Sequence, residues 1–416
     1  MATIAKTAEW DARDAANMRG VLDAQRASFT AELPVTAAAR RDRLNRALDV
    51  VLANKDRFAA AMSEDFGHRS TELSLVTDIM ASIKPLKHAL KHLDAWMKPE
   101  KRKLDFPMGL LGAKARVEWQ PKGVVGILSP WNFPVNLTFA PLAGVLAAGN
   151  RAILKPSEVV PRTAELLAKL CAEHLDPLVV AVVNGGPELG EAFSSQPFDH
   201  LVFTGSTAVG RLVMANAAKN LVPVTLELGG KSPQIIFGDA DMDAMTTVVT
   251  NAIVQNAGQT CSAGSRALVH RPVYEAVVER LAKSFAATRT GPAHMDLNCG
   301  PLIRESQMQR VRSFVELAKT DGLPIAAQGQ LVPEAPKGGF YQVPTLIRDV
   351  PIGHRIAQEE IFGPVLAISP FDDEDHAIEL ANGTEYGLAA ALWTQDGGRQ
   401  LRMARRLRSG QVFVNN

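Results

Sequence analysis

The stretch Val124-Val-Gly-Ile-Leu-Ser-Pro-Trp-Asn-Phe-Pro134 begins as a short apolar run and ends in a loop that holds an amide between two prolines. An apolar stretch of helical spacing follows over residues 135–148. A buried strand, a loop and a helix in this order are typical of a parallel sheet covered by helices on both faces. The stretch therefore predicts an α/β fold in which the loop lies beyond the carboxyl end of a strand.

The same cycle recurs along the chain and predicts two doubly wound parallel-sheet domains in series, with their boundary near residues 227–230. The predicted strands are 152–154, 179–183, 200–203 and 224–227, then 234–237, 267–270, 365–368 and 389–393. The predicted helices are 162–174, 189–193 and 208–218, then 242–257, 273–287, 377–381 and 401–407. Residues 288–351, which hold much of the remaining Pro and Gly, form a looser segment.

The chain before this alternation predicts helices over 9–96, a charged connector near 98–103 and a strand over 115–120. The connector lacks interleaved aromatic residues, so a solvated linker is favoured over a nucleic-acid patch. A protruding β-ribbon for oligomerisation is expected over residues 103–121. The first domain is then 1–102 with 122–228, and the second is 229–416.

Composition limits the classes of function. The chain has 416 residues and a formal net charge of +1, from 45 Lys and Arg against 44 Asp and Glu, which gives no pull toward nucleic acid or anionic membrane. Its three cysteines, widely spaced and odd in number, argue against a disulfide framework or a zinc cluster. With neither a signal-like start nor a spanning apolar run, the expected location is the cytoplasm and the expected ligands are small.

Two strand ends carry residues suited to a dinucleotide. Gly205-Ser-Thr-Ala-Val-Gly210 follows a strand and opens a helix, whose N-terminus favours phosphate. It lacks the Gly-x-Gly-x-x-Gly fingerprint, so by itself a simple turn is the more conservative interpretation. Lys155-Pro-Ser-Glu158 offers an ammonium and a carboxylate for a ribose; alternatively Ser157 caps the next helix with Pro161 early in it, and both interpretations are compatible.

Three further residues are candidates for catalysis. Asn132, stiffened by the flanking prolines, is either an oxyanion donor or a helix cap, and the stretch alone does not separate the two. Cys261 has small neighbours that leave a thiolate accessible, whereas Cys171 lies in an amphipathic helix and Cys299 has no evident base. Glu227, just before Gly229-Gly230, is either a general base or a simple strand end.

No metal site is predicted. His88 and His92 have a metal-like spacing on a helix, but Lys87 and Lys91 beside them repel a cation, and a solvated helix face is favoured.

Several sequence motifs stand in one order along the chain: Pro130-Trp-Asn-Phe-Pro134, Ala148-Gly-Asn150, Lys155-Pro-Ser-Glu158, Phe203-Thr-Gly-Ser206, Leu226-Glu-Leu-Gly-Gly-Lys231, Gln259-Thr-Cys261, Glu359-Glu-Ile-Phe-Gly-Pro364 and Asn382-Gly-Thr-Glu-Tyr-Gly-Leu388. In this combination and order they resemble the NAD(P)-dependent aldehyde dehydrogenase superfamily over residues 65–416, and most of all its coniferyl aldehyde dehydrogenase group, near the class 3 enzymes.

The resemblance implies a role for each candidate. Cys261 is the nucleophile, Asn132 the oxyanion donor, and Glu227 the base that activates water to hydrolyse the thioester. The implied cofactor is NAD, with NADP as an alternative, and the first domain is the dinucleotide-binding one. The residues implied to bind the cofactor are Trp131, Lys155, Glu158, Gly205, Ser206, Gly210, Glu360 and Phe362. The implied substrate is a hydrophobic, aromatic aldehyde that is oxidised to its acid.

One departure from the family concerns the end of the chain, since relatives continue beyond the stretch matching Gly410-Gln-Val-Phe-Val-Asn-Asn416. The expectation is therefore a catalytic domain truncated at its C-terminus, with a homodimer formed where the missing segment is present. The alternative function is a non-catalytic NAD-binding protein. A second alternative, an acylating enzyme that passes the thioester to coenzyme A or phosphate, is disfavoured because Glu227 serves hydrolysis.

Overall fold

The computed structural model describes residues 15–295 and 297–416. These residues form two compact units. The first comprises the described residues up to Met62 together with Thr71–Glu227, and the second comprises Ser63–Ser70 and Leu228–Asn416. The expected functions of these parts stay predictions.

Helices dominate the chain up to Trp96, as predicted from residue 15 onward; residues 9–14 of that prediction lie outside the described residues. The helices are α1 (Ala15–Glu32), α2 (Ala37–Ala53), α3 (Lys55–Asp65), α4 (Thr71–Ser74) and α5 (Ala81–Trp96). A π-helical segment, Leu75–Met80, joins α4 to α5. Thr36 starts α2 by accepting a hydrogen bond from the backbone N–H of Ala39, as an N-cap does.

An antiparallel two-stranded ribbon follows, made of β1 (Glu100–Arg102) and β2 (Ala115–Val117). The predicted linker is therefore wrong over Glu100–Arg102, since these exposed residues pair with β2 and form a strand. The predicted strand over 115–120 is confirmed only for its first three residues. The intervening loop exposes large apolar side chains, among them Phe106 with 85% of its surface accessible.

The sheet of the first unit is entirely parallel. Its strands are β3 (Val124–Leu128), β4 (Arg151–Lys155), β5 (Val180–Val182), β6 (His200–Thr204) and β7 (Val224–Glu227), in the order β5-β4-β3-β6-β7. The connecting helices are α6 (Asn136–Ala147), α7 (Pro161–His174), α8 (Pro187–Ser194) and α9 (Thr207–Ala218). Since the strand order reverses between β3 and β6, the loops after these two strands lie at the switch point of a doubly wound sheet.

The second unit has a seven-stranded sheet in the order β11-β13-β14-β9-β8-β15-β16. Its strands are β8 (Pro233–Ile236), β9 (Arg266–His270), β11 (Ile325–Gln328), β13 (Thr345–Ile347), β14 (Val365–Phe371), β15 (Ala389–Trp393) and β16 (Gln411–Val414). A parallel sheet is confirmed except at one edge, where β11 runs antiparallel to β13. Two short strands, β10 (Arg289–Thr290) and β12 (Gln330–Leu331), pair separately.

The helices of the second unit are α10 (Met242–Val254), α11 (Tyr274–Ala286), α12 (Glu305–Thr320), α13 (Arg355–Gln358), α14 (Glu374–Asn382) and α15 (Gly397–Arg406). The prediction that α10 reaches residue 257 is wrong, because Asn256 and Ala257 have positive φ angles and leave the right-handed helix. The prediction of a loose segment over 288–351 missed α12. That helix buries Met308, Val311, Phe314, Val315 and Ala318, which recur at the three- and four-residue spacing of one helical face.

Candidate active site

The loop between β3 and α6 carries Asn132, which is 3% exposed. A buried carboxylate fixes the end of this loop: Asp78 Oδ1 accepts the backbone N–H groups of Val135 and Asn136, each at 3.1 Å. An acidic group is favourable there because the N-terminus of a helix carries partial positive charge. Trp131 in the same loop is partly exposed. Asp78 lies in the π-helical segment, 57 residues before Val135 in sequence, and sequence reasoning gave it no role.

Lys155 and Glu158 form an ion pair at the end of β4. The buried Lys155 Nζ donates to Glu158 Oε2 at 3.0 Å and to the carbonyl oxygen of Pro156 at 3.2 Å, while the Glu158 side chain stays 38% exposed. The prediction of Ser157 as a helix cap is wrong, because α7 begins at Pro161 after Val160. Ser157 instead accepts the N–H of Val159, which makes a local turn. The early position of Pro161 is confirmed.

The loop between β6 and α9 presents a helix N-terminus. The Gly205 N–H donates to the carbonyl oxygen of Glu227 at 3.0 Å, which ties this loop to the end of β7. Ser206 caps α9 by accepting the N–H of Val209, and the buried Gly210 lies in the first turn. The remaining N–H groups of this turn supply the positive end of a helix, where anions bind.

Glu227 ends β7, the edge strand of the sheet, and its side chain is exposed. Its backbone carbonyl is bonded to Gly205, so the strand end is held while the carboxylate remains accessible to water. The structure thus brings the first set of predicted residues to the carboxyl edge of one sheet. This set comprises Trp131, Asn132, Lys155, Glu158, Gly205, Ser206, Gly210 and Glu227.

In the second unit, the Gly229-Gly230 turn is packed against two other segments. A Cβ at Gly229 would come closer than 3.0 Å to the carboxylate of Glu360, and one at Gly230 equally close to the carbonyl oxygen of Cys261. At Gly230 the obstructing atom belongs to the backbone, so only glycine leaves room for this approach. The turn therefore places Cys261 and Glu360 beside the same short stretch of backbone.

The loop that carries Cys261 has an unusual backbone. Asn256, Ala257 and Gly258 have φ angles of 51°, 52° and 72°, a left-handed conformation that non-glycine residues seldom adopt. The buried Gln259 holds the loop: its Nε2 donates to the carbonyl of Asn256 at 2.9 Å, and its Oε1 accepts the N–H of Ile303 at 2.9 Å. Gln259 was part of the quoted motif but received no role from the sequence.

Cys261 differs from the other two cysteines in its accessibility. Its side chain is partly exposed, whereas Cys171 and Cys299 are buried. Burial raises the pKa of each of these two thiols to about 12, so at neutral pH they are protonated and unreactive.

Residues from α12 shape the segment that carries Glu360 and Phe362. The Arg310 guanidinium donates to the carbonyl oxygen of Glu360 at 2.6 Å, and Gln307 Nε2 donates to that of Phe362 at 2.7 Å. Phe362 itself has a φ of 60°. The Gly230 N–H donates to Glu360 Oε1 at 3.1 Å, and burial raises the pKa of this carboxyl. Sequence reasoning missed Gln307 and Arg310 because it missed the helix.

No group of three or more His, Cys, Asp or Glu side chains within residues 15–295 and 297–416 is arranged to hold a metal ion. The rings of His88 and His92 lie 4.3 Å apart and pack near Trp96 along α5. Among the helices of the same residues, none is both long and apolar enough to cross a membrane.

Comparison with known proteins gives consistent matches over both units. A model of the aldehyde dehydrogenase family matches residues 2–416. A probable coniferyl aldehyde dehydrogenase of Caulobacter vibrioides is 43% identical over 405 residues, 96% of this chain and 82% of that protein. A coniferyl aldehyde dehydrogenase of a Pseudomonas species is 40% identical over 404 residues, 97% and 83% of the two chains. The NAD+ complex of an aldehyde dehydrogenase from Bacillus cereus superposes with a TM-score of 0.88 at 33% identity, over 97% of this chain and 81% of that one.

Proposed function

Because the chain belongs to the aldehyde dehydrogenase family, we propose that it oxidises a hydrophobic, aromatic aldehyde of the coniferyl type to the carboxylic acid, with NAD as the preferred cofactor. The aldehyde class is taken from two relatives that are named for coniferyl aldehyde. The main observation in support of this reaction is that Cys261 is partly exposed, whereas Cys171 and Cys299 are buried.

The first step is addition of the Cys261 thiolate to the aldehyde carbonyl, which forms a carbon–sulfur bond and an oxyanion. The Asn132 amide and the backbone N–H of Cys261 are the proposed donors to that oxyanion. Two observations support these assignments. The Asn132 loop is anchored by Asp78, and the Cys261 loop is anchored by Gln259, so both donors are held on supported backbone.

The residues present fit a nicotinamide dinucleotide. The N-terminal turn of α9, from Ser206 to Gly210, suits the diphosphate, and Lys155 with Glu158 suits the adenosine ribose. Trp131 is proposed to line the same cofactor site, and Glu360 with Phe362 to contact the nicotinamide end. A nicotinamide held there would supply a two-electron hydride acceptor for the carbon attached to Cys261. Loss of the hydride leaves a thioester on Cys261.

Hydrolysis completes the reaction. Glu227 takes a proton from a water molecule whose oxygen attacks the thioester carbon; the carbon–sulfur bond then breaks, and the acid and the Cys261 thiolate are released. The exposed position of the Glu227 carboxylate at the end of β7 supports this role, since a general base for water must reach solvent.

A preference for NAD over NADP is proposed because the Glu158 carboxylate repels a 2′-phosphate. Its ion pair with Lys155 neutralises part of that charge, and the exposed Glu158 side chain lets solvent screen the rest. The preference is therefore modest, and the ratio of kcat/KM for the two cofactors measures it.

Assembly and location belong to the same proposal. The ribbon segment 103–121 is proposed to pair with a second copy of the chain, because its loop exposes Phe106, Leu110 and Leu111. A reducing compartment such as the cytoplasm suits a chain with three widely spaced cysteines. Light scattering on the purified chain measures the assembly.

The direct test of function is NADH formation from coniferyl aldehyde and NAD. Replacing Cys261 by alanine removes the nucleophile, and kcat is expected to fall by at least about a thousandfold. Cys171→Ala, at a buried thiol, is the matched control and is expected to keep most of the rate. Full activity in the Cys261 variant excludes the mechanism. A wild-type chain that binds NADH but oxidises no aldehyde supports the non-catalytic alternative.

A further inference from the structure

Lys231, directly after the Gly229-Gly230 turn, is a buried cation without a hydrogen-bond acceptor. Its side chain is 1% exposed, and within the described part of the chain Nζ has no hydrogen-bond partner. A buried ammonium without a hydrogen bond is unfavourable, so the presence of Lys231 at this position calls for an explanation.

The charges that face Lys231 come from four residues on neighbouring segments. Glu360 and Glu359 attract its ammonium, and Arg266 and Arg310 repel it. Arg266 is engaged elsewhere, because its guanidinium donates to the carbonyl oxygens of Lys231, Leu380 and Ala381. Glu359 is also engaged, in an ion pair with Arg355. Of the two carboxylates, Glu360 is therefore the one that has no ion pair with another side chain among the described residues.

The buried Glu360 carboxylate needs a nearby positive charge to stay ionised. Its Oε1 accepts the Gly230 N–H at 3.1 Å. Two cations, Lys231 and Arg310, oppose the effect of burial on the pKa of this carboxyl, and Arg310 is hydrogen-bonded to the backbone carbonyl of Glu360. Burial by itself favours the protonated carboxyl. A protonated carboxyl turns one acceptor oxygen into a donor and has less capacity to accept a hydroxyl hydrogen bond.

We propose that Lys231 is a positioning residue that keeps the Glu360 carboxylate ionised, so that Glu360 holds a ribose hydroxyl at the nicotinamide end of the cofactor. The inference rests on the proposed function, which assigns Glu360 to that end. Lys231 is not assigned any contact with cofactor or substrate; it acts through Glu360.

The consequence is a specific pH dependence. Burial lowers the pKa of Lys231 to about 7, so the amine carries its charge at pH 6.0 and is mostly neutral at pH 8.5. Without that charge the pKa of Glu360 rises further, which favours the protonated carboxyl. At pH 8.5 the wild-type amine is itself mostly neutral, so its removal changes the charge beside Glu360 little. Replacing Lys231 by methionine, which has a similar length, should therefore matter at pH 6.0 and much less at pH 8.5.

The test is the dissociation constant of NADH, followed by the fluorescence of the nicotinamide, for wild type and Lys231→Met at both pH values. We expect the affinity for NADH to fall by about tenfold at pH 6.0 and by less than about twofold at pH 8.5. Lys283→Met, at an exposed lysine of α11, should leave both constants unchanged. In Glu360→Gln the further change from Lys231→Met should disappear at both pH values.

A purely structural role predicts the same loss at the two pH values and overturns the inference. If the methionine variant does not fold, Lys231→Gln is compared in the same way, with the same outcomes. Wild-type protein that binds no NADH overturns both this inference and the proposed cofactor site. If wild type binds NADH but forms none from an aldehyde, the proposed reaction fails while the pH comparison still decides the role of Lys231.

Discussion

Lys155 and Lys231 are both buried, but their side chains differ in hydrogen bonding. Lys155 donates to Glu158 and to a carbonyl oxygen at the carboxyl edge of the first sheet. Lys231 has no hydrogen-bond acceptor among the described residues and follows Gly230, where a Cβ would overlap the carbonyl oxygen of Cys261. The first region, around Lys155, is held by satisfied polar contacts; the second, around Lys231 and Cys261, by close backbone packing and left-handed residues.

Under the proposed function, the two regions have different tasks, cofactor binding in the first and reaction in the second. A surface whose polar groups are already paired is suited to bind a cofactor with little rearrangement. A region with a left-handed loop before its thiol and a buried amine without a hydrogen bond has the unusual backbone and the perturbed titration that often occur at reacting sites. Three substitutions test whether the two regions differ in this way.

The largest effect is expected for Glu227→Gln. The amide cannot take a proton from water, so steady-state turnover should fall by about a thousandfold while the first turnover still produces NADH. Rapid mixing with coniferyl aldehyde measures both phases, and Glu188→Gln, at an exposed glutamate of the same unit, is the control. Equal losses in both phases would show that Glu227 acts before the thioester forms.

The second-largest effect, a loss of kcat/KM, is expected for Gly230→Ala. The added methyl group would overlap the carbonyl oxygen of Cys261, so the loop must shift, and kcat/KM should fall by about a hundredfold. Gly353→Ala, where a Cβ meets nothing within 4 Å, should retain wild-type activity. Unchanged kinetics in the Gly230 variant would contradict the close packing on which the comparison depends.

The smallest of the three effects is expected for Asp78→Ala in the first region. Two backbone N–H groups at the start of α6 lose their buried acceptor, which should lower the free energy of unfolding by about 2 kcal/mol. Urea unfolding measures this loss, with Asp49→Ala at an exposed position of α2 as the control. Since the Asn132 loop moves with the helix start, kcat should also fall, by about tenfold. A stable variant with normal kcat would remove Asp78 from the support of Asn132.

Local patterns predicted much of the fold. The alternation of apolar strands and helices identified the parallel sheets, and the ordered motifs identified the family, which is confirmed. The antiparallel edge strand β11 was not predictable in this way, because a strand's direction depends on the path of the chain before it. Helix α12 was missed where Pro and Gly on both sides outweighed its regular apolar spacing.

The residues of the candidate site also differ in how far the sequence alone could identify them. Residues proposed to act through their own chemistry, such as Cys261 and Glu227, lie in recognisable sequence motifs. Residues that act through contacts distant in sequence do not. Asp78 meets the start of α6 from the π-helical segment, and Gln259 reaches Ile303 across 44 positions. The burial of Lys231 likewise depends on segments that are far from it in sequence.

The most direct test of the central claim is peptide mapping by mass spectrometry after Glu227→Gln protein has reacted with coniferyl aldehyde and NAD. Slow hydrolysis should let the thioester accumulate, and we predict the acyl group on the peptide that contains Cys261 and on no peptide that contains Cys171 or Cys299. Accumulation on either of those two cysteines, or NADH formation without any acylated peptide, would contradict the account.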